Sequence, residues 1–151
     1  MVTRVFTTLD EVRAAVSEPI GPSEPFLVDQ ARISAFAVIT DDEQWIHVDP
    51  ERAATGPYGG TIAHGYLTLS LISHFRPELL DFAFGSARVN YGVNKVRFPA
   101  PLRAGSQLRA TVTITDVTET PAGATVTAKY VLDGGEAKPA CVAETVLLIV
   151  G

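Results

Sequence analysis

Leu108-Arg109-Ala110-Thr111-Val112-Thr113-Ile114-Thr115 is the stretch whose reading decides the fold. Apolar side chains fall on every second position with polar ones between them, the period of a strand that buries one face and shows the other to water. The same period puts Val126, Ala128 and Tyr130 opposite Thr125, Thr127 and Lys129 in a further strand, and Cys141 to Val150 forms a last one. Upstream, Val89, Tyr91 and Val93, then Val96 and Phe98, mark another, with Gly92 at a bulge where the phase slips. The connections containing Pro101 and Gly105, Pro121 and Gly123, and Gly134 and Gly135 are short, which predicts antiparallel neighbours.

Before residue 77 the period is helical. Asp29 is placed to cap a helix through Ile39, with Ile33, Phe36 and Ala37 on one face. Asp42 to His47 falls in the exit loop. Asp49, Pro50 and Glu51 read as an N-cap, a first-turn proline and an acidic first turn, opening a short helix to about Ala54. The run Gly56-Pro57-Tyr58-Gly59-Gly60 breaks it. From Thr61, Ile62, Ala63, Tyr66, Leu67, Ser70, Leu71 and His74 keep helical spacing while Leu69 and Ile72 fill the other side, so this helix is expected to be buried nearly all round. One buried helix followed by an antiparallel sheet defines an α+β domain, the sheet wrapped over the helix. The 151 residues suit one such domain, residues 1–151, with no repeat, linker or low-complexity tract.

Composition narrows the function. A net charge of −5 and scattered Lys and Arg argue against a nucleic-acid footprint. Cys141 is the only cysteine, so neither a disulfide framework nor a thiolate metal site can be built. The N-terminal Met1-Val2-Thr3-Arg4 leads into a mixed polar segment, no stretch reaches membrane-spanning length, and the cytoplasm is the expected location.

The chemistry concentrates in Thr40-Asp41-Asp42-Glu43-Gln44-Trp45-Ile46-His47-Val48-Asp49-Pro50, where a carboxylate precedes an imidazole by five residues. Such a pair brought to one water can move protons both ways near neutral pH, because imidazole titrates there and a carboxylate can be tuned towards it. Other residues have simpler readings. Asp49 is accounted for as the N-cap ahead of Pro50, His64 as packing or hydrogen bonding at a helix start, and His74 as a complement to a helix dipole. The glycines at 56, 59 and 60 follow no strand of a βαβ unit and form no dinucleotide fingerprint. Asp42, His47, Asp49 and His64 have neither the spacing of a helical His pair nor that of a Cys-containing zinc site, and no metal is expected.

Three separated motifs carry a resemblance: Asp42 to His47, then Thr61-Ile62-Ala63-His64-Gly65-Tyr66-Leu67, then Lys95-Val96-Arg97-Phe98-Pro99-Ala100-Pro101. Together they resemble the MaoC-like (R)-specific enoyl-CoA hydratases, and Gln44-Trp45-Ile46-His47-Val48-Asp49 is most similar to the nodulation-protein-N-like branch. The likeness runs from about Val28 to the C-terminus. It implies a hotdog fold, an antiparallel sheet around a long central helix, and reversible addition of water to a trans-2-enoyl-CoA without a metal or organic cofactor. It also implies catalytic roles for Asp42 and His47, an oxyanion-hole amide at Gly65, and substrate-binding positions at Gln44, Ile62, Ala63, Lys95, Arg97 and Phe98. The position that is commonly asparagine in the family is Gln44, and its usual glycine before the aspartate is Asp41. An acyl-CoA partner and a homodimer follow from the same resemblance. The dimer is expected through the threonine-rich strand Leu108 to Thr115, which has no proline to blunt an exposed edge. Two other functions fit a thioester site: a hotdog thioesterase, or a subunit that binds an acyl thioester without turning it over.

Overall fold

A computed structural model describes residues 2–151. In chain order its elements are β1 (Arg4–Phe6), α1 (Leu9–Ala14), β2 (Pro19–Ile20), β3 (Phe26–Val28), α2 (Gln30–Thr40), α3 (Trp45–Val48) and α4 (Pro50–Ala54). They continue with α5 (Gly65–Ser70), α6 (Ile72–Leu79), β4 (Leu80–Phe82), β5 (Ala87–Arg97), β6 (Ser106–Thr120), β7 (Gly123–Asp133) and β8 (Cys141–Val150). A six-stranded antiparallel sheet runs in the order β2-β6-β7-β8-β5, with β3 paired beside β2 on the same flank of β6. Leu108, Ala110, Val112 and Ile114 of β6 and Val126, Ala128, Tyr130 and Leu132 of β7 are buried, as the alternation predicts. They meet Leu67, Leu71, Ile72, Phe75 and Leu79 from α5 and α6 in one core. This is the α+β hotdog arrangement. Cys141 is buried in the same core, and burial pushes its thiol up to about 11.

Several expectations are corrected. β6 is no edge: β7 pairs with one side of it, and β2 and β3 with the other. Ser23 joins the two short strands there, its amide donating to the Ala110 carbonyl and its hydroxyl accepting from the Ala110 amide. β5 and β6, although joined by a short connection, are not neighbours; β5 pairs with β8 and is the terminal strand of that sheet. Gly92 does mark an irregularity in β5, and a second one follows Val93. The front half is not only helical, because β1, β2 and β3 hold two or three residues each, too few to show a period.

The central helix also differs from its expected outline. Residues 61–63 are extended, because the Ile62 amide donates to the Ile46 carbonyl, that of Ala63 to Leu102, and the Ala104 amide to Thr61. The helix begins at Gly65, changes course at Leu71 and ends at Leu79, two residues past Pro77. The carbonyl that Pro77 cannot serve belongs to Ser73, which is exposed to water. Tyr66 is 74% exposed, so one face of this helix is open rather than buried. His74 lies inside the helix, on Phe26 and within 3.2 Å of the Glu78 carboxylate, instead of complementing a helix end.

Candidate active site

Three short elements place the candidate acid–base residues. Asp29 caps α2 by accepting from the Arg32 amide, as expected. The helix ends at Asp41, whose φ of 58° is left-handed. That conformation suits the glycine that the resemblance implies at this position, and aspartate can stand in for it, since Asp tolerates the left-handed region better than most residues. The chain then turns out through Asp42, which is exposed, and back in through α3. The guanidinium of Arg52 from α4 lies 4.3 Å from the Trp45 ring centroid. Asp49 caps α4 ahead of Pro50, accepting from the Arg52 amide, so it is spent on structure.

His47 is not in a polar loop but on a buried turn of helix, 6% exposed. Its Nδ1 lies 2.7 Å from the Ile62 carbonyl. A carbonyl can only accept, so Nδ1 carries the proton and Nε2 is left with its lone pair. The His47 carbonyl accepts from Gln30 Nε2 at 2.7 Å, and Gln30 Oε1 accepts from the Thr61 hydroxyl at 2.5 Å. Backbone and ring are thus fixed from two sides.

His64 stacks on His47, with ring centroids 3.8 Å apart and planes 22° from parallel. Its Nε2 donates to the main-chain carbonyl of Asp42 at 2.9 Å, and Phe36 packs on its other side at 5.0 Å. This fits the expected hydrogen-bonding role, but its target is the loop that presents the candidate acid. With Nε2 protonated, His64 Nδ1 is a bare acceptor, 3% exposed as a residue and without a partner among the described residues. Asp42, His47 and His64 can each offer an atom within 4.8 Å of the others'. The same cluster could hold a cation through a carboxylate oxygen and one ring nitrogen from each histidine; Asp49, the fourth residue weighed from sequence, does not join it.

Beside this cluster, a cavity of about 270 Å³ is lined by Ile62, Ala63, Gly65 and Phe98, together with Tyr58 and Leu102. Gly65 is the first residue of α5, where no carbonyl one turn earlier is set to receive its N–H. A Cβ at Gly65 would come within 3.0 Å of the Phe98 ring, so the second and third motifs touch there and glycine is what lets them. Gln44 is exposed and its side chain makes no capping bond. Lys95 and Arg97 are exposed on β5 and do not line the cavity. Gln30, Thr61 and Tyr58 went unread in the sequence; Gln30 is one of many polar side chains on its helix, and nothing in its spacing ties it to His47.

A hotdog sheet with a carboxylate, a tautomer-fixed histidine and an open amide at one end of its helix defines a class of thioester-handling proteins. The chain belongs to the MaoC-like domain family, whose model matches residues 11–135. It is 44% identical over 147 residues to 3-hydroxyacyl-thioester dehydratase Z of Mycobacterium tuberculosis, covering 95% of this chain and 97% of that protein. Nodulation protein N of Rhizobium leguminosarum bv. viciae is 45% identical over 107 residues, covering 68% of this chain and 65% of its own length. Among solved structures, the (R)-hydratase from A. caviae involved in PHA biosynthesis superposes with a TM-score of 0.69 at 27% identity, covering 89% of this chain and 96% of that one.

Proposed function

We propose that the protein is an (R)-specific enoyl-CoA hydratase, working in reverse as a 3-hydroxyacyl-thioester dehydratase. One observation carries this reading: a ring nitrogen of His47 and a carboxylate oxygen of Asp42 lie within 4.8 Å of each other, His47 is held through its Nδ1 so that Nε2 is free, and the adjoining cavity is lined by Gly65. A water held between Asp42 and His47 gives a proton to His47 Nε2 as its oxygen bonds to the β-carbon of a trans-2-enoyl thioester. The electron pair moves onto the thioester oxygen, where the Gly65 N–H stabilises the enolate. Collapse of the enolate takes a proton at the α-carbon from a protonated Asp42 on the same face, which makes the addition syn, and the proton held by His47 then passes to the Asp42 carboxylate, restoring both groups. Proton and hydroxide both come from one water, so the reading uses no metal and no organic cofactor, and coenzyme A enters as part of the substrate. Ile62, Ala63 and Phe98 wall the acyl thioester, while Gln44, Lys95 and Arg97 stand outside the cavity, the two cations available to coenzyme A phosphates. Relatives named as a dehydratase and an (R)-hydratase support the reading.

The test follows enoyl-thioester absorbance and free thiol together, with crotonyl-CoA and a longer enoyl-CoA. Loss of absorbance without thiol is expected. Thiol release would make the protein a thioesterase, and binding with neither signal would make it a non-catalytic acyl-thioester subunit.

We further infer a cytoplasmic homodimer of a single domain, residues 1–151, in which β5 pairs with its copy. Among the described residues no helix is long and apolar enough to cross a membrane. β5 is 11 residues long and exposed along most of its length, with Tyr91 70% exposed and Val89 and Val93 exposed on the same strand. An edge of that length is a template for pairing, and a two-fold axis satisfies both copies at once. Light scattering should give twice the 16.1 kDa chain mass at micromolar concentration. A monomer that retains hydratase activity would sink this assembly.

A further inference from the structure

A second cavity, of about 350 Å³, lies between α5–α6 and the sheet. Most of its wall is apolar: Leu69, Ile72, Leu80, Val126 and Leu147 are examples. Its polar groups do not match that wall. The guanidinium of Arg76, which lines it, makes no ion pair or hydrogen bond to any described residue, and no carboxylate is among the lining residues. Tyr130, 2% exposed as a residue, lines it too, and its hydroxyl has no hydrogen-bond partner among the described residues. A tyrosine hydroxyl on an otherwise buried ring normally finds a partner, and this one is open to take it from the cavity. Burial pushes the Tyr130 phenol up, and the Arg76 guanidinium is near enough to pull it back. The phenol therefore stays protonated at neutral pH and can only donate to an anion.

We propose that this cavity binds an aliphatic carboxylate, its chain against Leu69, Ile72 and Leu147 and its head group accepting hydrogen bonds from the Arg76 guanidinium and the Tyr130 hydroxyl. Arg76 is the one charged residue of the lining and Tyr130 its one phenol; Ser70, Ser73, Asn90 and Thr145 add neutral polar groups and no acid competes, so an anionic end on a long apolar body suits this wall. A methyl-ended chain would leave both donors unsatisfied. The carboxylate is either the far end of an acyl chain held as a thioester or that of a free fatty acid; only the first case rests on the proposed hydratase function.

Dodecanoate and dodecanol, titrated by calorimetry into the wild-type protein, test the chemistry without any turnover. Dodecanoate should bind and dodecanol should bind more weakly. Arg76→Gln and Tyr130→Phe should each weaken dodecanoate by roughly ten- to a hundredfold, the range of a hydrogen bond to a charged group, and leave dodecanol unchanged. Arg76→Lys should restore part of the loss. Tyr130→Phe removes only an unpartnered hydroxyl, so its melting temperature should stay the same or rise, which separates ligand binding from a structural role. Hydration of enoyl thioesters ending in carboxylate or methyl then distinguishes the two sources. A kcat/KM preference for the carboxylate end that falls in Arg76→Gln assigns the substrate chain, and an unchanged preference assigns a separate fatty acid. No heat with dodecanoate, equal binding of dodecanol, or wild-type affinity in both variants would overturn the proposal even if hydratase activity is found.

Discussion

The hairpins β6–β8 and the segment from Gln30 to Gly65 keep their shapes by different means. In the hairpins, long paired registers and a row of buried side chains share the stabilisation over many contacts. The segment from 30 to 65 has three short helices, and its position depends on a few bonds between side chains and main chain: His47 to Ile62, Gln30 to His47, His64 to Asp42. Order spread over many contacts tolerates the loss of one. Order resting on single bonds places a reacting atom accurately, but each bond is then needed. Substitutions in the two regions should therefore fail in different ways, activity first in one and stability first in the other.

The largest effects belong to the acid–base pair. Asp42→Asn and His47→Gln should each lower hydratase turnover by about a hundred to ten thousand fold, with the double variant little worse than the singles because both hold one water. Circular dichroism and melting temperature should be close to wild type. Full turnover in either folded variant would take that residue out of the mechanism.

Ile114→Ala probes the other region. Ile114 is fully buried in β6, and truncation should cost about 2–5 kcal/mol in denaturant unfolding while kcat of the folded protein stays within a small factor of wild type. If kcat drops as far as it does for His47→Gln, the sheet and the site are coupled and the contrast between them is wrong.

Gln30→Ala falls between these. It removes a donor to the His47 carbonyl and the acceptor of the Thr61 hydroxyl, in a half-buried place where each bond is worth about 1 kcal/mol. The expected result is a loss of kcat by about tenfold, a shift of His47 being felt more in rate than in stability. An unchanged kcat with lowered stability would mean that the Ile62 carbonyl alone orients the ring.

How far each region could be read from sequence follows the same division. The alternation in Leu108–Thr115 and Val126–Tyr130 gave the buried faces, and β8 has the expected bounds, because a period of two is a direct record of which side meets water. Strand order did not follow: the short chain between β5 and β6 suggested neighbours, yet β5 lies beside β8, and with β5 at the end of the sheet the expected exposed edge moves from β6 to β5. Loop length limits where a strand can go without saying which partner it takes. In the candidate site, motif spacing singled out Asp42, His47 and Gly65; the structure brings ligand atoms of Asp42 and His47 within 4.8 Å of each other and puts Gly65 with Ile62, Ala63 and Phe98 on the wall of one cavity. The exposure of Gln44, Lys95 and Arg97, and the hold of Gln30 on His47, depend on tertiary geometry that no local pattern records. His64 is intermediate. Its hydrogen-bonding role was read, but its target, the Asp42 carbonyl, lies 22 residues away in the chain.

Asp41 gives the smallest expected effect and the sharpest test of how the two regions join. It ends α2 in a left-handed conformation immediately before Asp42, so its backbone sets where that carboxylate points. Asp41→Gly relieves a left-handed non-glycine residue but loosens the unfolded chain, and these opposing terms should leave stability within about 1 kcal/mol of wild type. Turnover should be retained, since glycine adopts the same φ and removes a like charge next to Asp42. Asp41→Val offers the contrary case: a β-branched side chain resists φ near 58°, so the turn should open, costing about 1–2 kcal/mol and more in rate than in stability. Unfolding curves and kcat/KM on the two variants decide between backbone and charge. If Asp41→Gly and Asp41→Val behave alike, the left-handed turn does not aim Asp42, and the single-bond account of this segment loses its first link.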